Sequence, residues 1–111
     1  MAADNNREMA LRAVLREIVT RIVRVAAPEQ IVLFGSAARG EFRQGSDIDL
    51  LVVKRGARRR KVTGAIYQAL IGVGQAVDVV VATPEDLARY RDSAATVIGP
   101  ALREGKVVYA G

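Results

Sequence analysis

The sequence contains no cysteine and no histidine, and its only aromatic residues are two phenylalanines and three tyrosines. The lack of cysteine excludes a disulfide framework and is typical of proteins of a reducing compartment. Together the two absences remove the usual zinc ligands and every mechanism that depends on a thiol or an imidazole base. If the protein is an enzyme, its acid–base and metal chemistry must therefore use carboxylates.

Long hydrophobic runs are also absent. No apolar stretch approaches the roughly 20 residues of a membrane span, and the polar start, MAADNNREMA, lacks the apolar segment of a secretory signal. These features predict a cytoplasmic protein with no membrane partner. Half of the 111 residues are hydrophobic, which is enough for one core, and the length predicts a single domain over residues 1–111.

The formal net charge is +5, and much of the excess lies between Lys54 and Lys61. Three interpretations of this run stay open: a solvated loop and helix start, an attractive surface for a triphosphate, or one for an acidic partner. Basic residues interleaved with aromatics, which are typical of single-strand binding, are missing. The composition therefore argues against a nucleic-acid partner.

Hydrophobic periodicity predicts helices that alternate with strands. An amphipathic helix over 7–26 should end at Ala27–Pro28. Further elements are expected as strands at 31–34, 47–53 and 76–82, a short helical turn at 37–39, helices at 62–73 and 83–90, a turn or helix at 95–104, and an edge strand at 107–109. This order predicts an α/β (α+β) fold in which helices flank a small mixed β-sheet.

Three acids are the strongest candidates for chemistry. Asp47 and Asp49 lie two apart on a predicted strand, so both should emerge on one face. Asp78 interrupts an apolar strand, where an isolated carboxylate is costly unless it is paired, ligated or at a mouth. A hard divalent cation such as Mg²⁺ would hold such acids ionised, and two ions about 4 Å apart can stabilise an in-line phosphoryl displacement. An Asp-x-Asp pair alone is usually only an acid pair near a turn.

A Gly35-Ser36 turn follows the first predicted strand. Glycine there allows close approach of a ligand to the backbone, and the serine hydroxyl adds a donor for a phosphate oxygen. Arg39 lies within about one helical turn of the serine and could reach phosphate or brace the acids. The Walker A pattern of P-loop proteins is absent.

Taken together, residues 35–53 read GSAARGEFRQGSDIDLLVV. This segment resembles the signature of the polymerase β-like nucleotidyltransferase superfamily: a strand, Gly-Ser, ten residues, Asp-x-Asp and an apolar strand. The resemblance implies the palm-like fold of that superfamily, two Mg²⁺ ions and ATP as substrate. It further implies that Asp47 and Asp49 are metal ligands, and that Asp78 holds the second metal and helps to activate an acceptor hydroxyl. Gly35 and Ser36 would contact the β and γ phosphates, with Arg39 and Ser46 completing the nucleotide site.

The whole chain is similar to the minimal nucleotidyltransferase (MNT) family, including its TPEDLARY and ALREGKVVY segments. Such proteins are commonly the antitoxins of HEPN–MNT toxin–antitoxin pairs, in which AMP is transferred from ATP to a tyrosine of the HEPN ribonuclease. The resemblance thus implies a protein adenylyltransferase with a HEPN-family partner and a hetero-oligomer with that toxin. Two alternatives stay open: a non-catalytic module that masks a HEPN partner, and a nucleotidyltransferase that acts on a small-molecule hydroxyl.

Overall fold

The computed structural model of the chain describes residues 2–43 and 45–111. It contains four helices and four strands within these residues. In chain order they are α1 (Ala2–Ala26), β1 (Gln30–Phe34), β2 (Ile48–Val53), α2 (Arg59–Ala69), β3 (Val77–Ala82), α3 (Pro84–Tyr90), α4 (Ile98–Glu104) and β4 (Lys106–Ala110). None of the described helices has the length and apolar character needed to cross a membrane.

The four strands form one mixed sheet in the order β3-β2-β1-β4. β1 is antiparallel to both β2 and β4, whereas β2 and β3 run parallel because α2 carries the chain across between them. The edge strand predicted near 107–109 is confirmed as β4, and the small mixed sheet flanked by helices is confirmed as the fold.

Both faces of the sheet are covered, although by different helices. α1 and α2 pack on one face, where Leu50 and Val52 of β2 contact a core that includes Ile18 and Ile66. α3 and α4 pack on the other, where Leu51 of β2 belongs to a second core. Because successive strand residues point to opposite faces, β2 is buried almost throughout, and each fully buried side chain of this kind contributes about 1.5–3 kcal/mol.

Helix boundaries differ from the sequence prediction in two places. α1 begins at Ala2 and so extends the predicted helix at its start. α2 covers Arg59–Ala69 where 62–73 was predicted, and its end is contacted by Arg21 of α1. Its Nη1 donates to the carbonyls of Ala69 and Ile71 at 3.2 and 3.0 Å, so the last carbonyls are satisfied by a neighbouring helix.

Three shorter elements can be compared with the prediction. The predicted start of α3 is confirmed as a capping box: the Thr83 hydroxyl accepts from the Asp86 amide at 3.1 Å, and the Asp86 carboxylate accepts from the Thr83 amide at 2.9 Å. The short helical turn predicted at 37–39 corresponds to hydrogen-bonded turns over residues 36–40, in which the Arg39 amide donates to the carbonyls of Gly35 and Ser36 at 3.3 and 3.1 Å. α4 begins at Ile98, later than the predicted 95.

Candidate active site

Two of the predicted acids are brought side by side by strand register. β2 and β3 are parallel, and Asp49 is the direct partner of Asp78 across the pair. Asp47 lies one residue before β2, so its placement on the strand was wrong by one residue. All three aspartates nevertheless interact, because the charges of Asp78 and Asp47 both raise the pKa of Asp49. The structure therefore gathers these acids at the amino ends of the two parallel strands.

Asp49 is the most constrained of the three acids. Its side chain is half-buried, and burial is the main reason that its pKa is raised, followed by the charges of Asp78 and Asp47; Arg39 opposes the shift. Its side chain shares a face with Leu51 and Val53, which pack against α4. Asp49 thus opens on the α4 face of the sheet, beyond the part that the helix covers.

Asp78 is exposed although its neighbours in sequence are apolar. It is the second residue of β3, which is an edge strand of the sheet. Water can therefore solvate its carboxylate, and no desolvation penalty has to be offset there. An exposed acid beside a half-buried one gives the site two carboxylates with different environments.

Gly35 forms the wall of the site behind Asp49. It follows Phe34, which pairs with Asp49 across β1 and β2, and its φ is +73°. A Cβ atom at this position would collide with Oδ2 of Asp49 and lie 3.2 Å from its Cγ. Both the backbone conformation and the space therefore require glycine, and the turn is built in direct contact with the acid.

The loop after Gly35 carries the other predicted phosphate-binding residues. Ser36 is half-buried, and its carbonyl accepts from the amides of Arg39 and Glu41 at 3.1 and 2.9 Å. Arg39 is close enough to Asp49 to lower its pKa, and its Nε donates to Oε1 of Glu41 at 3.2 Å. Glu41 was not predicted from the sequence; the only signal was an acid two residues after the arginine.

Ser46 lies in the turn before β2, where its described hydrogen bonds are made by the backbone. Its amide donates to Arg43 at 2.9 Å, and its carbonyl accepts from Nε2 of Gln75 at 2.6 Å. Gln75 also donates to the carbonyl of Ala76 at 2.9 Å, so one side chain ties together the segments that lead into β2 and β3. Gln75 is a second residue that was not predicted, because no motif or periodic pattern includes it.

The donor set of the site consists of carboxylate oxygens, which Mg²⁺ prefers. Among residues 2–43 and 45–111, no three acidic, histidine or cysteine side chains converge closely enough to hold a metal ion by themselves. Magnesium usually binds one or two carboxylates and completes its coordination with substrate phosphates. The Asp49–Asp78 pair, with its mutual repulsion, fits a cation of that kind, and Asp47 is near enough to contribute.

Two cavities of about 560 and 520 Å³ lie beside the loop that follows Gly35 and the turn before β2, respectively. Leu33 lines the first and Val14 the second, and both residues belong to the core on the α1 face; Phe42 lines both cavities. Neither is lined by the three aspartates. The carboxylates therefore lie outside both cavities, although Glu41 lines the first and Ser46 the second.

Comparison with known proteins agrees with this geometry. A family model described as the nucleotidyltransferase domain matches residues 13–98. No curated protein matches the sequence at a significant level. A solved structure described provisionally as a minimal nucleotidyltransferase is 31% identical, with a TM-score of 0.63, over 88% of this chain and 92% of that chain.

Two further solved structures share the fold. One, provisionally described as a nucleotidyltransferase from Sulfolobus solfataricus, is 20% identical, with a TM-score of 0.67, over 96% of this chain and 86% of that chain. The other is the crystal structure of a toxin–antitoxin with AMP-PNP, 23% identical, with a TM-score of 0.53, over 85% of this chain and 72% of that chain.

Proposed function

Because this chain belongs to the nucleotidyltransferase domain family, we propose that it is an antitoxin that transfers AMP from ATP to a tyrosine hydroxyl of a HEPN-family ribonuclease. The observation that carries the proposal is the contact of the Gly35 turn with Asp49, which is itself paired in register with Asp78. A phosphate-binding turn and a carboxylate pair at one place are what a nucleotidyl transfer requires.

ATP would bind with its triphosphate against the Gly35–Ser36 turn. The missing side chain at Gly35 lets a phosphate oxygen approach the backbone, and the Ser36 hydroxyl supplies a further donor. Arg39 and Glu41 are both exposed, so the guanidinium could exchange its Glu41 partner for a phosphate. Ser46 would lie at the rim of this nucleotide site.

Asp47, Asp49 and Asp78 would hold the Mg²⁺ ions, for which we propose a count of two. When bound, these ions would neutralise the charge of the phosphates and lower the pKa of the acceptor hydroxyl. The repulsion that raises the pKa of Asp49 in the metal-free chain would then be offset. The protein's own contribution is to hold the carboxylates at fixed places on two hydrogen-bonded strands.

The transfer itself would be a displacement at the α phosphorus. The acceptor oxygen forms a bond to phosphorus while the bond to the α–β bridging oxygen breaks, and pyrophosphate leaves with that electron pair. The proton of the hydroxyl passes to the exposed carboxylate of Asp78 and then to water. Asp78 suits this role because it is open to an acceptor that arrives from outside.

The likeness to a toxin–antitoxin with AMP-PNP supports a protein acceptor and a nucleotide substrate. The test is the intact mass of a HEPN protein, where one is encoded beside this chain, after incubation with this chain, ATP and Mg²⁺. The control is the Asp47→Asn, Asp49→Asn double variant. We expect a gain of one or more AMP units that the double variant does not produce.

A stable complex without a mass gain would contradict the transfer and support masking of the toxin as the function. A separate measurement concerns Asp78. Since it is assigned to the acceptor side, Asp78→Asn should reduce the transfer rate more than ATP binding. Loss of nucleotide binding in that variant would contradict the assignment.

A further inference from the structure

The basic run that the sequence singled out does not belong to the candidate active site. β2 separates the two, because Asp49 stands near its start and Lys54 follows its end. Five residues of strand at about 3.3 Å each place the run about 16 Å from the acid. A triphosphate bound at the aspartates is therefore out of direct reach of these cations, which leaves them without a part in the proposed transfer.

Two of the six cations in the run are held by the fold. Nζ of Lys54 donates to the carbonyl of Ala27 at 3.1 Å, and Nη2 of Arg59 pairs with Oδ2 of Asp86 at 2.7 Å. In the part of the chain that the structure describes, no ion pair involves the other four side chains, all of which are exposed: Arg55, Arg58, Arg60 and Lys61. These four residues are the basic end.

Nearby acids compensate the basic end only in part. Glu29 accepts a hydrogen bond from the backbone amide of Arg55 at 2.8 Å, and that bond, together with the charges of Lys54 and Arg55, lowers the pKa of Glu29. Asp86 is engaged by Arg59 and by the α3 cap. The first turn of α2 contains cations and no acid, an arrangement that opposes the helix dipole. The cations in the first turn of α2 thus destabilise the fold, and a negatively charged partner would offset this destabilisation.

The arrangement of the charges bears on the kind of partner. Arg60 and Lys61 follow each other in a helix and so point about 100° apart, while Arg55 projects from the preceding turn. These side chains therefore point in different directions and do not line up in a single track along which a phosphodiester backbone could run. Aromatic side chains, on which bases would stack, are absent from residues 54–61.

We propose that the basic end is a docking surface for an acidic face of a protein partner, separate from the aspartates. Three of its four cations are arginines, whose planar guanidinium groups bind carboxylates in a bidentate manner. A partner held there leaves the Asp49–Asp78 pair open on its own face of the sheet. The inference does not depend on transfer, because docking at this surface serves a masking antitoxin equally well.

The test compares three forms of the full chain. In one, Arg55, Arg58, Arg60 and Lys61 are changed to Gln. In the matched control, the same change is made at four exposed cations elsewhere, namely Arg12, Arg16, Arg103 and Lys106. Both variants lose three arginines and one lysine, so net charge is the same. The probes are a fluorescent Glu/Ala helical peptide and a single-stranded RNA of equal charge, and binding is followed by anisotropy at low salt.

We expect the basic-end variant to bind the peptide about tenfold or more weakly than the unmodified chain, and the control to lose about twofold, since local complementarity outweighs net charge. The Asp47→Asn, Asp49→Asn variant should keep peptide binding, which separates docking from transfer. Equal losses in both quadruple variants would overturn the proposal in favour of net charge. Tighter RNA binding that is lost only in the basic-end variant would overturn it in favour of a nucleic-acid surface.

Discussion

The two ends of the sheet carry charge of opposite sign and hold it in different ways. At one end Asp49 is half-buried, fixed in register with Asp78 and touched by the Gly35 turn. At the other, Arg55, Arg58, Arg60 and Lys61 are long and exposed. Short side chains on paired strands give exact positions, which chemistry requires. Long exposed cations attract a negatively charged surface without holding it in one geometry, which suits docking. Variants at the two ends should accordingly differ in what they lose.

Asp49→Asn should have the largest effect. Removal of one carboxylate from the pair should lower the AMP-transfer rate by about a thousandfold or more, as for loss of a key electrostatic group in other active sites. The variant should nevertheless be at least as stable as the unmodified chain, because burial and two neighbouring negative charges disfavour the ionised acid. Transfer is measured with labelled ATP, and stability by urea unfolding at pH 7 with a chelator present.

If Asp49→Asn lost stability as well as transfer, Asp49 would be a structural residue, and the contrast between the two ends of the sheet would not hold. Retention of most of the transfer rate in Mg²⁺ would equally contradict the metal-ligand role. Asp86→Asn offers a reference at the other end of the sheet, because that acid is stabilised by its neighbours and not strained by them.

Gly35→Ala should come next. The new Cβ would meet the carboxylate of Asp49, and the positive φ disfavours any side chain. We expect a loss of about 1–2 kcal/mol in the free energy of unfolding and a fall in transfer of about a hundredfold, the size expected from a displacement of about 1 Å in a site. Unfolding and transfer rates are measured on the same preparation.

Gly40→Ala is the matched control for this change. Its φ is +76°, close to that of Gly35, and a Cβ there would have no atom within 4 Å. It should show a similar loss of stability and nearly full transfer. Equal loss of transfer in both variants would mean that the loop backbone, and not the contact with Asp49, matters for the reaction.

The cap of α3 should show a smaller effect on stability alone. The pKa of Asp86 is lowered, mainly by the hydrogen bond from the Thr83 amide and further by the Thr83 hydroxyl and Arg59. A lowered pKa means that the folded chain favours the ionised form, so this stabilisation is present above the unfolded pKa of about 3.9 and is lost as pH falls through the folded value.

Asp86→Asn should therefore destabilise the fold by about 1 kcal/mol at pH 7, and the difference should shrink as the pH falls below about 4. Urea unfolding of both forms at pH 7 and pH 3 measures it, with AMP transfer unchanged at pH 7. A difference that stayed constant with pH would show that the charge of Asp86 does not matter.

Much of this molecule could be predicted from local sequence. Strand β1, the Gly35–Ser36 turn and the Thr83 cap each follow from residues within a few positions, so the sequence identified them. The proximity of Asp78 to the other acids was an expectation from family resemblance, and its register with Asp49 depends on how the α2 crossover packs. Asp49 and Asp78 are too far apart in sequence for hydrophobic periodicity to predict this pairing.

What local sequence does not reveal has one origin. The exposure of Asp78 depends on β3 being an edge strand of the sheet, which its apolar sequence neighbours do not indicate. The carbonyls at and just after the end of α2 accept hydrogen bonds from Arg21, which comes from another helix. Gln75 and Glu41 lie in turns without periodic pattern, and only their contacts with Ser46 and Arg39 reveal them. In each case a tertiary contact decides what local propensity does not.

The smallest expected effect concerns Arg39, a cation close to the three aspartates. The charge of Arg39 lowers the pKa of Asp49, and its guanidinium also forms an ion pair with Glu41. Because both members of that pair are about half exposed, its loss should change the free energy of unfolding by about 0–1 kcal/mol. Glu41→Gln would release the guanidinium toward a bound triphosphate, so we expect the KM for ATP to fall by about twofold with kcat unchanged.

Arg39→Gln is the converse change and should raise the KM for ATP by about tenfold, since a charge-assisted hydrogen bond to phosphate contributes about 1.5–3 kcal/mol. Steady-state rates over a range of ATP concentrations distinguish the two variants. If both raised the KM, the ion pair would be needed to orient Arg39 rather than to hold it back. The end of the sheet that carries the aspartates would then differ from the basic end even in its exposed cation, because Arg39 would have a fixed position.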